Sequence, residues 1–129
     1  MDDPRLLSKK GPIAPVAVLS GILGAKATPS ILPLCHPLPL THCSVEVGEP
    51  APLDAATVQV RITVSASSAH STGVEMEALL GASAAALAVY DMLKALTHDM
   101  RITDTRLLHK SGGKRTYNAP GHGEGAASS

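Results

Sequence analysis

Residues 72–96, TGVEMEALLGASAAALAVYDMLKAL, decide how the rest of the chain must be arranged. Met76, Leu79, Leu80, Ser83, Leu87, Tyr90 and Leu93 recur at three- and four-residue steps, which predicts one long helix reaching to about Leu96. Thr72 followed three residues later by Glu75 has the spacing of a capping box and places the helix start there. The small residues from Gly81 to Ala86 let another element approach closely. Upstream, Cys43, Val45 and Val47 alternate with Ser44 and Glu46, and Val58, Val60, Ile62 and Val64 alternate with Gln59, Arg61 and Thr63. That is the period of two half-buried antiparallel strands, joined like a hairpin by the turn-rich residues 48–56, with Arg61 and His70 on the solvent face. Downstream, Arg101 to Leu108 reads as a final strand. Before the hairpin, Val16, Leu19, Ile22 and Leu23 predict a first helix from Pro15 to Lys26, in which Gly21 and Gly24 permit close packing. Helix, two strands, helix and strand in that order predict an α+β fold, an antiparallel sheet with helices packed on one face.

Composition narrows the function. The 129 residues suit one domain, and Lys+Arg and Asp+Glu number 11 each, so no global field points to nucleic acid or to a membrane surface. Trp and Phe are absent and Tyr numbers two, which removes the aromatic platforms on which single-stranded nucleic acid stacks. A core of small aliphatic residues buries little per chain, so association would help. Cys35 and Cys43 lie eight apart without a Cys-x-x-Cys pair, so neither a zinc site nor a disulfide framework is indicated, and reduced thiols fit a cytoplasmic protein. Lys9-Lys10 followed by an apolar run to Ala25 imitates a secretory signal, but Pro12, Pro15 and the acidic start argue against it. No stretch reads as long enough to span a bilayer. Residues 1–9 read as a frayed, polar start, residues 10–114 as the folded domain, and residues 115–129, rich in Gly, Ala and Ser, as a disordered tail.

Ile31-Leu32-Pro33-Leu34-Cys35-His36-Pro37-Leu38-Pro39-Leu40 is neither a helix interior nor a central strand, because its prolines fix φ and remove backbone donors. It reads either as a stiff apolar wall tipped by a thiol and an imidazole, or as a proline-rich connector over the core with His36 a satisfied core histidine.

This segment, with Thr72 to Leu79, Val89-Tyr90-Asp91-Met92-Leu93-Lys94-Ala95, Arg106 to Lys114, Lys10-Gly11 and Gly21 to Lys26, resembles in order the motifs of the molybdenum cofactor biosynthesis protein C family, the cyclic pyranopterin monophosphate synthases. The resemblance covers most of residues 9–114. Members usually carry a further strand and helix before Lys10 that this sequence does not include, and commonly an arginine where Val18 stands. The resemblance implies a ferredoxin-like sandwich and a lyase that converts 3',8-cyclo-7,8-dihydroguanosine 5'-triphosphate to cyclic pyranopterin monophosphate, releasing pyrophosphate. It implies Asp91, Lys94 and Lys10 as the proton-handling groups. Leu34, Cys35, His36, Met76 and Glu77 would hold the base-derived ring, and Lys26, Lys110 and Lys114 would offset phosphate charge. No resident cofactor is implied; a divalent cation on the phosphates is compatible, although no metal-ligand set is visible. The implied partners are the nucleotide and further copies of the chain, a hexamer built from dimers with sites at subunit interfaces. The second reading is a catalytically weak paralogue that binds the nucleotide or a full-length synthase subunit.

Taken as bare chemistry, Asp91 and Lys94, three apart on one helix, are an ion pair worth a few tenths of a kcal/mol, and isolated lysines are solvated. In a desolvated, cation-crowded pocket Lys94 would instead have a lowered pKa. Glu77 lies fourteen residues before Asp91, roughly 21 Å along a helix axis. The two cannot touch one small ligand within a single copy, so if both belong to one site, that site needs two copies. Lys110-Ser111-Gly112-Gly113-Lys114 offers amides on flexible glycines between two ammoniums, a combination that suits phosphate.

Overall fold

A computed structural model describes residues 7–122. The elements run β1 (Leu7–Ser8), β2 (Gly11–Pro12), α1 (Ile13–Lys26), α2 (Thr28–Ile31), β3 (Leu40–Val47), β4 (Ala51–Pro52), β5 (Val58–Gln59), β6 (Ile62–Ser68), α3 (Glu75–Leu93), β7 (His109–Lys110) and β8 (Tyr117–Asn118). The class is α+β, with antiparallel strands backed by helices. In the principal ladder β3 opposes β6, with Cys43 against Ala66, Val45 against Val64 and Val47 against Ile62. Opposed residues share a face, so these side chains make one apolar surface. α1 and α3 cover it: Ala17, Val45 and Ala85 form the buried centre, with Val18, Ile22, Val47, Ile62, Val64 and Val89 packed around them. A second cluster joins Ile13 to Met92, with Val60, Val89 and Leu93 around it.

The helices lie unusually close because their facing residues are small. A Cβ on Gly24 would come within 2.6 Å of Ala84 Cβ, so the contact tolerates nothing larger than glycine without a shift. Pro15 sits in the first turn of α1, where its missing N–H costs nothing.

The structure differs from the sequence expectations in several places, and α1 starts at Ile13, ahead of the expected Pro15, with Ala14, Ala17, Gly21 and Ala25 buried and Val16, Leu19 and Leu23 of the expected stripe exposed. The second long strand begins at Ile62, not Val58: Val58–Gln59 pairs instead with Ala51–Pro52 inside the connection, and the ladder resumes where the Gly48 amide donates to the Arg61 carbonyl. The N-cap of α3 is Val74, with no side-chain cap, so Thr72 and Glu75 do not form a capping box; Glu75 is drawn away by Lys110. Arg101–Leu108 joins no ladder among the described residues, and pairing begins only at His109. Of the sequence reading's disordered tail, Tyr117–Asn118 pairs with His109–Lys110, and Leu7–Ser8 of the frayed start pairs with Gly11–Pro12; residues 1–6 and 123–129 lie outside the described residues. Finally, α3 with 19 residues is long and apolar enough to cross a membrane, contrary to the expectation that no stretch is. Here it packs on α1 and the hairpin and carries Glu75, Glu77 and Asp91, and a single core helix meets that length test on its own.

Candidate functional site

The two ends of α3 carry two different clusters. At its first turn, the proline-rich segment that follows α2 folds back over the helix and closes a cleft of about 680 Å3. Leu34, Cys35, His36, Met76 and Glu77 all line it, so five residues expected to share a ring-binding site do meet within one chain. The wall reading of this segment holds better than the core one, because His36 is exposed and Leu34 is 95% exposed. Glu77 is buried, with 4% of its surface exposed. Cys35 Sγ donates to Glu77 Oε1 at 3.7 Å, while Glu77 Oε2 has no partner among the described residues. Burial, and then the neighbouring Glu77 and Glu75 carboxylates, push the Cys35 thiol up from its ordinary range. It therefore stays protonated and acts as a weak hydrogen-bond donor, not as a thiolate nucleophile.

At the other end of α3, Asp91 lies between two ammoniums. Lys94 Nζ is 2.8 Å from Asp91 Oδ1, one helical turn away, and Lys10 Nζ is 3.2 Å from Oδ2. Lys10 gets there through the tight turn between β1 and β2, where Ser8 Oγ accepts from the Lys10 amide and donates to the Gly11 carbonyl. All three side chains remain half exposed, at 50–57%. Hydrogen bonds from Lys94 and then Lys10, reinforced by their charge, hold the Asp91 carboxyl below its usual range. The same contact raises Lys94; the lowering expected of a desolvated, cation-crowded pocket does not arise within this chain, where Lys94 is half exposed and paired to a carboxylate.

The lysines expected on phosphate are not gathered in one place. Lys26 ends α1 and is exposed; its charge is felt by the Cys43 thiol, which burial otherwise raises. Lys110 lies at the cleft end, 3.3 Å from Glu75 Oε1. Glu75 was read from the sequence only as a capping-box partner and not as a site residue, although its place in the first turn of a helix, where a carboxylate is favoured, was a visible signal. Among the described residues no group of three or more His, Cys, Asp or Glu could hold a metal ion.

An acid-floored cleft and a solvated aspartate–lysine cluster stand at opposite ends of one helix over an antiparallel hairpin, in a small α+β domain. The chain belongs to the MoaC family, whose sequence profile matches residues 5–113. It is 50% identical over 115 residues to the cyclic pyranopterin monophosphate synthase of Xanthomonas campestris pv. campestris (strain 8004), covering 88% of this chain and 66% of that protein. It is similarly related to the proteins of the same name from Dinoroseobacter shibae, 49% identical over 83% of this chain and 65% of the relative, and from Rhodospirillum rubrum, 51% identical over 82% and 61%. The chain thus spans about two thirds of the length of the curated relatives it matches, or slightly less.

Proposed function

We propose that this protein acts as a cyclic pyranopterin monophosphate synthase, a lyase of molybdenum cofactor biosynthesis that takes 3',8-cyclo-7,8-dihydroguanosine 5'-triphosphate to cyclic pyranopterin monophosphate and pyrophosphate. The observation that carries this reading is Asp91 ion-paired at once to Lys94, on its own helix, and to Lys10, eighty-one residues away in sequence. Packing alone gives no reason to collect those three charges on an exposed helix end. Asp91 orients the two lysines. They serve as proton donors and as charge partners for the phosphates while the ring opens and the cyclic phosphate closes. In the cleft, the unpaired Glu77 Oε2 accepts from the N–H edge of the base-derived ring, with Met76 and Leu34 against its faces and Cys35 and His36 at its polar rim. Lys26 and Lys110 offset phosphate charge.

Because the cleft and the Asp91 cluster lie at opposite ends of one helix, the complete site takes Glu77 from one copy and Asp91 from another. The working unit is then a homo-oligomer, a hexamer built from dimers with sites at the subunit boundaries. The finer fold we assign to this α+β chain is a ferredoxin-like sandwich, supported by the antiparallel β3–β6 ladder with α1 and α3 packed on one face. The two free cysteines fit a cytoplasmic location.

Incubating the purified chain with the cyclised nucleotide and measuring pyrophosphate and pterin product tests the reading. Product formation supports it. Binding without turnover favours the catalytically weak paralogue, and neither binding nor turnover removes the nucleotide from the account.

A further inference from the structure

The ion pair between Lys110 and Glu75 is unlike the Asp91 cluster. Its side chains keep only 19% and 30% of their exposure, whereas the Asp91, Lys94 and Lys10 side chains keep half or more. Glu75 Oε2 is buried without a partner among the described residues, so the glutamate faces the cleft with one oxygen committed to Lys110 and one free. Two backbone segments are shaped around the pair. A Cβ on Gly73 would lie 2.6 Å from both Glu75 Oε2 and Lys110 Cε, so glycine is what leaves room for it. Just beyond Lys110, the Gly113 amide donates to the Ser71 carbonyl, which ties the glycine turn to the start of α3. Capping does not explain the glutamate, because Val74 is the N-cap and no side chain bonds there.

We infer that Glu75 is a positioning residue that fixes the Lys110 ammonium at the rim of the cleft, where it meets an anionic group of the bound ligand. One of the three ammonium donors is spent on Glu75, and two remain. Glu77, whose Oε2 is unpaired in the same cleft, accepts hydrogen bonds and disfavours an anion, so a cation held in one place sets the direction of the ligand: its hydrogen-bond donors toward Glu77 and its anionic end toward Lys110. A lysine without Glu75 would turn to bulk water and lose that sense of direction. This inference rests on the synthase reading and assigns one side chain within it.

The test compares the full-length chain with Glu75→Gln, Lys110→Met and the double variant, reading KM and kcat for the cyclised nucleotide and, by mass spectrometry, the rate of reductive methylation at Lys110. Each single variant is expected to raise KM about tenfold with kcat within about twofold, and the double variant to be no worse than Lys110→Met, because residues acting through one another are not additive. Lys110 is expected to methylate several-fold faster in Glu75→Gln, and Glu75→Asp to restore most of both effects. Additive single effects, a loss confined to kcat, or unchanged methylation of Lys110 would each overturn the inference. If Glu75→Gln does not fold, Gly73→Ala displaces the same pair and is read in the same way. A wild-type chain that turns nothing over while Glu75 still shields Lys110 places the failure in the synthase reading and not in the pair.

Discussion

The two ends of α3 put the same functional group, a carboxylate, in opposite circumstances. Glu77 is almost dry and short of one hydrogen bond; Asp91 is half exposed and has an ammonium on each oxygen. A buried acceptor without a donor is costly unless something arrives to satisfy it, so the cleft end is built to read a ligand. An exposed, fully paired acid costs almost nothing and contributes little to stability, so the other end is built to hold two cations in place until a surface covers them. Under the proposed function, this contrast separates recognition from proton handling along one helix.

Breaking the comparison at the wet end has the largest expected effect. Asp91→Asn should lower turnover by about 10²- to 10⁴-fold, the usual worth of a positioned acid–base group, while thermal melting stays close to that of the parent, since an exposed ion pair contributes roughly 0–1 kcal/mol. Unchanged turnover would remove Asp91 from the mechanism. At the dry end the signs reverse. Glu77→Gln should weaken ligand binding by about 10- to 100-fold, as expected for a lost hydrogen bond to a charged group, yet leave the fold as stable or more so, because an under-satisfied buried charge is gone. A titration calorimeter and a melting curve decide this, and a large loss of stability with unchanged affinity would make Glu77 structural.

The rod joining the ends is tested by Gly24→Ala, which forces apart α1 and α3 where a Cβ would meet Ala84. A loss of about 1–3 kcal/mol by denaturant unfolding is expected from overpacking, and no loss would mean that the helices are not in close contact there.

The smallest effect is in pH. Lys10 and Lys94 depress Asp91, so the stability this carboxylate contributes is present above its unfolded-state value and is lost only as pH falls through a folded value below the ordinary carboxylate range. For Lys94, which is raised, the contribution is complete below its unfolded-state value and is lost as pH rises through the higher folded one. Between those limits neither group should change stability. In Asp91→Asn the Lys94 ammonium, followed by NMR, should titrate at lower pH than in the parent; no shift would mean that the 2.8 Å contact is not made in solution.

Local pattern made the scaffold legible where one face is apolar. The recurrence of Met76, Leu80 and Leu87 marked α3 as a helix but not its inner face, since Met76 and Leu87 are exposed and Glu77, Gly81, Ala85 and Met92 are buried, whereas the alternation of Cys43, Val45 and Val47 gave β3 with its apolar face. Patterns whose outcome depends on distant partners misled. Thr72 and Glu75 have capping-box spacing, but Lys110, thirty-five residues beyond Glu75, takes the carboxylate. Arg101 to Leu108 read as a strand, yet no neighbouring ladder takes it up among the described residues. In the site, the Asp91–Lys94 pair follows from helix spacing alone, while the approach of Lys10 depended on the family resemblance. Neither the burial of Glu77 nor the link from Glu75 to Lys110 was visible, since both arise only when segments far apart in sequence close over one another.

Mixing two impaired chains, at a nucleotide concentration too low to saturate Glu77→Gln, tests the division of labour most directly. Asp91→Asn and Glu77→Gln, each purified, are unfolded and refolded together in equal amounts, and pyrophosphate release from the cyclised nucleotide is measured. If one copy supplies the cleft and another the proton-handling cluster, random pairing restores about a quarter of the sites, and activity rises well above either variant alone. A mixture no more active than its two components would contradict a site shared between copies.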